Sequence, residues 1–238
     1  MEFTRRTIQQ VRGASYDQGL RSYMIGVFNN MFVALLITGL TAFVTISTPL
    51  VGLFFSPNGG LSGFGWLATF APLMFVFFFS YKLMRVQTST ARMMLWGFAA
   101  LMGLSLAPIF LAYTAESITR VFFITASMFA GMSIWGYTTK RDLTAMGSFL
   151  FMGLIGIIIA SLVNIFMQSS AMYFVVSFLS VIIFTGLTAY DVQKIARIYH
   201  MAPSGDFLDK IAIQGALSLY LDFINLFLAM LRLFGDRR

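Results

Sequence analysis

Asp191 and Asp222 are the residues of this chain best placed to do chemistry. Each lies inside a long apolar stretch, whereas the other carboxylates keep to the ends of the hydrophobic runs or to the gaps between them. An ionisable side chain within a membrane span costs about 2.5–3.5 kcal/mol on insertion scales, so it is kept where it faces a partner, a cavity or an ion path. Two carboxylates about 4 Å apart at an effective dielectric near 20 repel by roughly 4 kcal/mol. Such a pair holds one proton between its members near neutral pH, titrates as a unit, and exchanges that proton for a cation. Calcium suits the exchange because it is a hard ion that takes several oxygen ligands. A site with few protein ligands also lets the ion leave again, as conduction requires.

The polar neighbours of the two aspartates are ordered. Gln214, Ser218, Asp222 and Asn225 follow one another at steps of four, four and three, which puts them on one face of an α-helix. The other faces carry Leu, Ile, Phe and Ala. A single polar stripe in a membrane turns toward other helices or water, so the last helix is predicted to be central in its bundle. Ser177, Ser180, Thr188 and Asp191 form a weaker stripe on the preceding span. Thr188, Ser218 and Asn225 are therefore candidate oxygen donors beside the pair. Separate neutralisation is the alternative, Asp191 by Lys194 one turn away, or by Lys82 or Arg85 at the end of the second span.

The elements that must hold these residues follow from composition. With 58% hydrophobic and 11% charged residues and a mean hydropathy of +0.83, a chain of this length cannot hide its apolar surface in a soluble core. It reads as an all-α membrane protein. Runs long enough to cross about 30 Å of hydrocarbon fall near residues 24–46, 64–81, 92–113, 121–137, 145–167, 171–190 and 211–234. The prediction is a seven-transmembrane-helix bundle, a single domain over 24–238 preceded by a cytoplasmic N-terminal segment, 1–23. That segment is polar and basic and lacks the apolar core and cleavage site of a secretory signal. Pro57, Asn58 and Gly59 in one gap and Pro203, Ser204 and Gly205 in another mark turns. Pro72 and Pro108 fall within spans, as kinks or hinges. Gly153, Gly156 and Ser161 are expected to let helix backbones approach.

A net charge of +7 does not signal nucleic acid here, because the basic residues alternate from gap to gap. The N-terminus and the gaps holding Lys82/Arg85/Arg92, Lys140/Arg141 and Lys194/Arg197/Lys210 carry twelve of the 16 Lys and Arg. The intervening gaps carry only Arg120. The N-terminus is therefore expected in the cytoplasm, with Asp191 and Asp222 on the cytoplasmic half. Seven crossings put Arg232, Arg237 and Arg238 outside, against the charge rule; the other possibility is a re-entrant last segment. An unbroken apolar run without proline favours the full crossing.

Two runs carry a resemblance to a known family. Phe184-Thr185-Gly186-Leu187-Thr188-Ala189-Tyr190-Asp191-Val192-Gln193-Lys194-Ile195 resembles the signature of the Bax inhibitor-1 family, also called the transmembrane Bax inhibitor motif family. Leu219-Tyr220-Leu221-Asp222-Phe223-Ile224-Asn225-Leu226-Phe227 is similar to that family's last-helix motif, and Tyr113-Thr114-Ala115-Glu116-Ser117-Ile118 to its segment before the fourth span. The resemblance extends from about the first span to the end. It implies a seven-helix bundle with the last helix in the middle, a pH-sensitive calcium leak, and a paired Asp191 and Asp222 as gate and transient calcium site. It also implies a basic residue of the second helix near the pair, for which Arg85 is the candidate. The short loops and compact ends suggest a bacterial member in the inner membrane. The tail, with only Arg237 and Arg238, departs from the lysine-rich tail of animal members, and the loop holding His200 is longer.

The remaining chemistry is sparse. Glu116 is either a pore-mouth ligand or a stabiliser of a helix N-terminus. His200 reads as a solvated residue. Cysteine is absent and histidine single, which leaves no thiol nucleophile or histidine-rich zinc site. An aspartyl hydrolase is the weakest reading, because the Gly-x-Gly-Asp context is missing. The expectation is a non-enzymatic calcium leak without a cofactor, its partners being the bilayer, calcium ions and protons, and not nucleic acid. The alternative is a membrane adaptor that regulates another membrane protein such as a protease.

Overall fold

The computed structural model describes residues 2–56, 60–202 and 205–238, with side chains from residue 18 onward. The turn residues Pro57, Asn58, Gly59, Pro203 and Ser204 lie outside the described residues. Seven helices follow in order: α1 (Glu2–Ser47), α2 (Gly63–Lys82), α3 (Thr88–Ala112), α4 (Ala115–Thr138), α5 (Thr144–Met167), α6 (Ser170–Met201) and α7 (Asp206–Phe234). Short 3-10 turns at Pro49–Phe54 and Leu83–Arg85 bracket α2. All seven are long and apolar enough to cross a membrane, α1 from Gln18 onward. The polar N-terminal segment thus continues into the first spanning helix rather than standing apart from it.

The helices start where local chemistry lets them. Ser62, Thr114 and Ser169 cap α2, α4 and α6, each hydroxyl accepting the backbone N–H three residues on, which satisfies donors that a helix start leaves unpaired. Gly205, at φ 91°, occupies a conformation open to glycine immediately before α7. Pro72 and Pro108 stand within unbroken α2 and α3.

The last helix occupies the centre. Of its most apolar stretch, 61% is buried inside the protein, against 11% for α5. It packs against α1, α3, α4 and α6, whereas α2 rests on α3 and α5 on α6. The core is accordingly built on Ile213, Leu219, Tyr220, Leu226 and Leu231 of α7, against Val27, Leu95, Phe98 and Val121 of its neighbours.

Three ties fix which helix ends share a face. Thr88 at the start of α3 donates to Asp206 at the start of α7 at 2.5 Å. The α4–α5 connection is held by the end of α6, with Leu143 N–H donating to Gln193 at 2.9 Å, Gln193 to the Arg141 carbonyl at 2.8 Å, and Arg197 to Asp142 at 3.0 Å. At the other end, the tail after α7 lies on the α3–α4 connection: Thr114 N–H donates to the Asp236 carbonyl at 3.1 Å and Arg238 N–H to that of Ala112 at 3.0 Å. The 29 residues of α7, about 43 Å of helix, therefore run from one face to the other, and the re-entrant alternative is set aside.

The basic tail that broke the charge rule is tied down locally. Arg120 pairs with Asp236 at 2.8 Å. Arg237 donates to the Tyr173 hydroxyl and lies over the rings of Tyr113 and Tyr173.

Candidate functional site

The turn of α6 that carries Asp191 is clamped from two sides. On one, Gly136 of α4 lies against the backbone of Ala189, so close that a Cβ there would stand 2.3 Å from the Ala189 carbonyl oxygen. On the other, Gly147 of α5 lies under the ring of Tyr190, where a Cβ would meet ring carbons at 2.4 Å. With Ala189 and Tyr190 so engaged, the neighbouring Asp191 is left to face α7 and the space beside it.

Asp222 is fixed just as firmly. Two residues before it, the fully buried Tyr220 shares a 2.6 Å hydrogen bond with Thr38 of α1, and Thr38 donates to the Ala99 carbonyl of α3 at 2.9 Å. One residue after it, Phe223 packs edge-on against Phe122 and Phe129 of α4. Tyr220 and Phe223 bind the two flanks of α7, which turns Asp222 toward α6.

Both aspartates line one cavity of about 940 Å³ between α2, α5, α6 and α7, together with Lys194, Ser218, Asn225 and Arg232. Lys194, one turn beyond Asp191 on α6, lines the same cavity. Asp222 is buried, and its Oδ2 makes no hydrogen bond to any described residue. Asn225 donates its amide to the Leu221 carbonyl at 2.8 Å, leaving its side-chain oxygen to accept. The oxygens available to a hard cation are thus those of Asp191, Asp222, Ser218 and Asn225. Among the described residues no third acid, histidine or cysteine joins them into a metal cluster.

Other candidates fall elsewhere. Thr188 is buried, but its hydroxyl donates to the Phe184 carbonyl of its own helix at 2.7 Å, and it does not line the cavity. Back-bonding of this kind is an ordinary fate for a mid-helix threonine. Gln214 is exposed, and Ser177 faces a different cavity. Arg85 is exposed, with its guanidinium 4.4 Å from the Tyr81 ring centroid and donating to the Tyr81 hydroxyl at 2.8 Å; the basic residue lining the cavity near the pair is Lys194 instead. Glu116 is exposed in the first turn of α4, at the far end of the bundle from the pair. Gly153 meets Ile183 of α6 as expected, but Gly156 faces open space. The close helix approaches at Gly136 and Gly147 escaped the sequence reading, since one glycine in an apolar run looks like another.

The family model described as "Inhibitor of apoptosis-promoting Bax1" matches residues 20–238. The chain is 45% identical over 239 residues to the uncharacterized protein RP147 of Rickettsia prowazekii, covering 100% of this chain and 99% of that one. It is 44% identical over 223 residues to the inner membrane protein YbhL of Escherichia coli K12, covering 92% of this chain and 94% of that one. A protein of Caulobacter vibrioides is 42% identical over 230 residues, 94% of this chain and 92% of its own.

Proposed function

The chain belongs to the family of inhibitors of apoptosis-promoting Bax1, as one of its bacterial members, and on that premise we propose that it is a pH-sensitive calcium leak gated by Asp191 and Asp222. One observation carries the reading: two acids share a cavity inside a membrane bundle, one of them buried with a carboxylate oxygen that finds no donor among the described residues. A buried carboxylate oxygen without a donor demands a proton, a water or a cation. Two acids facing one space demand it twice, and Lys194 supplies a single positive charge.

The groups around the pair set the cycle. Lys194 and Tyr190 face it from α6, Ser218 and Asn225 from α7, and Ser148 from the α5 wall, while α2 contributes only apolar side chains and Arg232 lines the same cavity ten residues beyond Asp222. With one proton on the pair the site is near neutral with Lys194 and holds cations poorly. Loss of that proton leaves two carboxylates against the one charge of Lys194, and the added negative charge draws a divalent ion into the cavity. Four side chains, two of them uncharged, make a weak calcium site, from which the ion departs. The reading is one of transport rather than catalysis, with no resident cofactor. The bacterial inner membrane is the proposed location, after the name of the Escherichia coli relative, with the N-terminus and the Lys194 end of the cavity in the cytoplasm, as the distribution of Lys and Arg supports.

The test is reconstitution into liposomes loaded with a calcium dye, comparing wild type, Asp191→Asn and Asp222→Asn from pH 5 to 8. Wild type is expected to pass calcium at a rate that changes across neutral pH, and each variant to lose that dependence. Calcium entry no greater than in empty liposomes overturns the leak and leaves the adaptor, a membrane protein that regulates a protein partner.

A further inference from the structure

A second cavity, of about 490 Å³, lies at the end of the bundle where the tail folds over α3 and α4. Its polar lining comes from Tyr113, Ser161, Asn164, Tyr173, Ser177 and Arg232. No carboxylate is among the lining residues. The one acid of the tail, Asp236, is paired with Arg120. Arg237 sits against the aromatic walls, its guanidinium 5.8 Å and 5.6 Å from the ring centroids of Tyr113 and Tyr173. Among the described residues Arg232 makes no hydrogen bond or ion pair. The chamber therefore presents the Arg232 guanidinium and neutral donors to whatever enters it, with Arg237 stacked on two of its aromatic walls, a setting suited to a phosphate oxygen.

This chamber opens into the large cavity, since Ser161, Ile165, Leu228 and Arg232 line both. Beyond that passage the large cavity is walled by apolar side chains of two helices that do not close on each other, α2 resting on α3 and α5 on α6. Phe77 of α2, 77% exposed, and Phe151 and Ile158 of α5, also exposed, stand along the gap at mid-span. A gap at that depth meets hydrocarbon chains, not water. From Arg232 the cavity follows α7 past Asn225 to Ser218, about 10 to 21 Å of helix rise, which brackets the roughly 15 Å depth of one leaflet's chains.

We propose that the two spaces form one site for an anionic phospholipid, its phosphate in the chamber on Arg232 beneath Arg237 and an acyl chain lying between α2 and α5. The phosphate chamber is separate from the aspartate pair, whereas the acyl chain enters the cavity that the pair also lines; the proposal does not rest on the calcium reading. A chain seated there covers the flank of α7 that no other helix covers.

Native mass spectrometry of the detergent-purified protein tests this with phosphatidylglycerol, phosphatidylcholine and glycerol 3-phosphate as probes. Wild type is expected to retain phosphatidylglycerol at least fivefold more than phosphatidylcholine, with no displacement by glycerol 3-phosphate. Arg232→Gln should erase the preference. Ile165→Trp, at a position 65% exposed and common to both spaces, should reduce retention of both lipids without unfolding the bundle. Lys140→Gln, exposed at the opposite end, should behave as wild type. Equal retention of the two lipids by wild type, an undiminished preference in Arg232→Gln, or displacement by glycerol 3-phosphate overturns the proposal.

Discussion

The hydroxyls of Tyr220 and Thr38 lie 2.6 Å apart in the buried core and tie α7 to α1 two residues before Asp222. Tyr220→Phe keeps the ring, which stacks edge-on with Phe98 at 5.7 Å, and removes only the hydroxyl. A neutral hydrogen bond contributes about 1 kcal/mol. Tyr220→Phe and Thr38→Val should each lower the detergent melting temperature, and the double variant should fall by less than the two together. Additive losses would show that the contact carries no coupling.

Lys194 lines the cavity that holds both aspartates, one turn beyond Asp191 on the same helix. Replacing it with Met removes a positive charge from a space that a cation must enter, at a saving on the order of 1 kcal/mol in repulsion. Calcium should then enter at about fivefold lower half-saturating concentration. An unchanged or raised concentration would mean that Lys194 does not face the ion.

Much of this site is legible in the sequence because membrane physics leaves few options. Seven apolar runs of spanning length can only be helices, and the steps linking Ser218, Asp222 and Asn225 place them on one face wherever the helix packs. Spacing did not show that Thr188 satisfies its hydroxyl within its own backbone, nor did the resemblance show that Arg85 settles on Tyr81. Both depend on rotamers and neighbours that spacing does not encode. The tail was illegible for a similar reason: that Arg237 meets Tyr113 and Tyr173 depends on contacts between segments 64 and more residues apart.

Gly136 and Gly147 offer a graded test of the clamp on α6. A Cβ at Gly147 meets the Tyr190 ring, which is able to swing, whereas one at Gly136 meets the Ala189 backbone, which is not. Overpacking costs about 1–3 kcal/mol. Gly136→Ala should therefore destabilise the protein more than Gly147→Ala, and only Gly147→Ala should alter the cavity side of Tyr190 while the fold persists. The reverse order of melting temperatures would refute this account of the helix contacts.

Asp142 sets a pH dependence away from the membrane. Hydrogen bonds from the Thr144 hydroxyl and backbone N–H, with Arg197, hold its carboxyl down from the usual 3.8 to about 2. A depressed folded value stabilises the protein above the ordinary aspartate range, and that contribution fades as pH falls toward 2. Asp142→Asn should melt below wild type at pH 6, and the gap should narrow from pH 4 downward. A gap that stays constant to pH 2 would assign the effect to lost packing instead.

The tail separates ion pairing from backbone pairing. The Arg120–Asp236 pair is exposed on both sides, and exposed pairs contribute at most about 1 kcal/mol. The backbone bonds of Thr114 to Asp236 and of Arg238 to Ala112, with Asp236 N–H on the Ser117 hydroxyl at 2.8 Å, do not depend on the carboxylate. Asp236→Asn should therefore shift the melting temperature little, whereas truncation after Phe234 should lower it clearly, because it strips all three bonds from the α3–α4 connection. If both changes cost the same, the ion pair rather than the backbone holds the tail against α3 and α4.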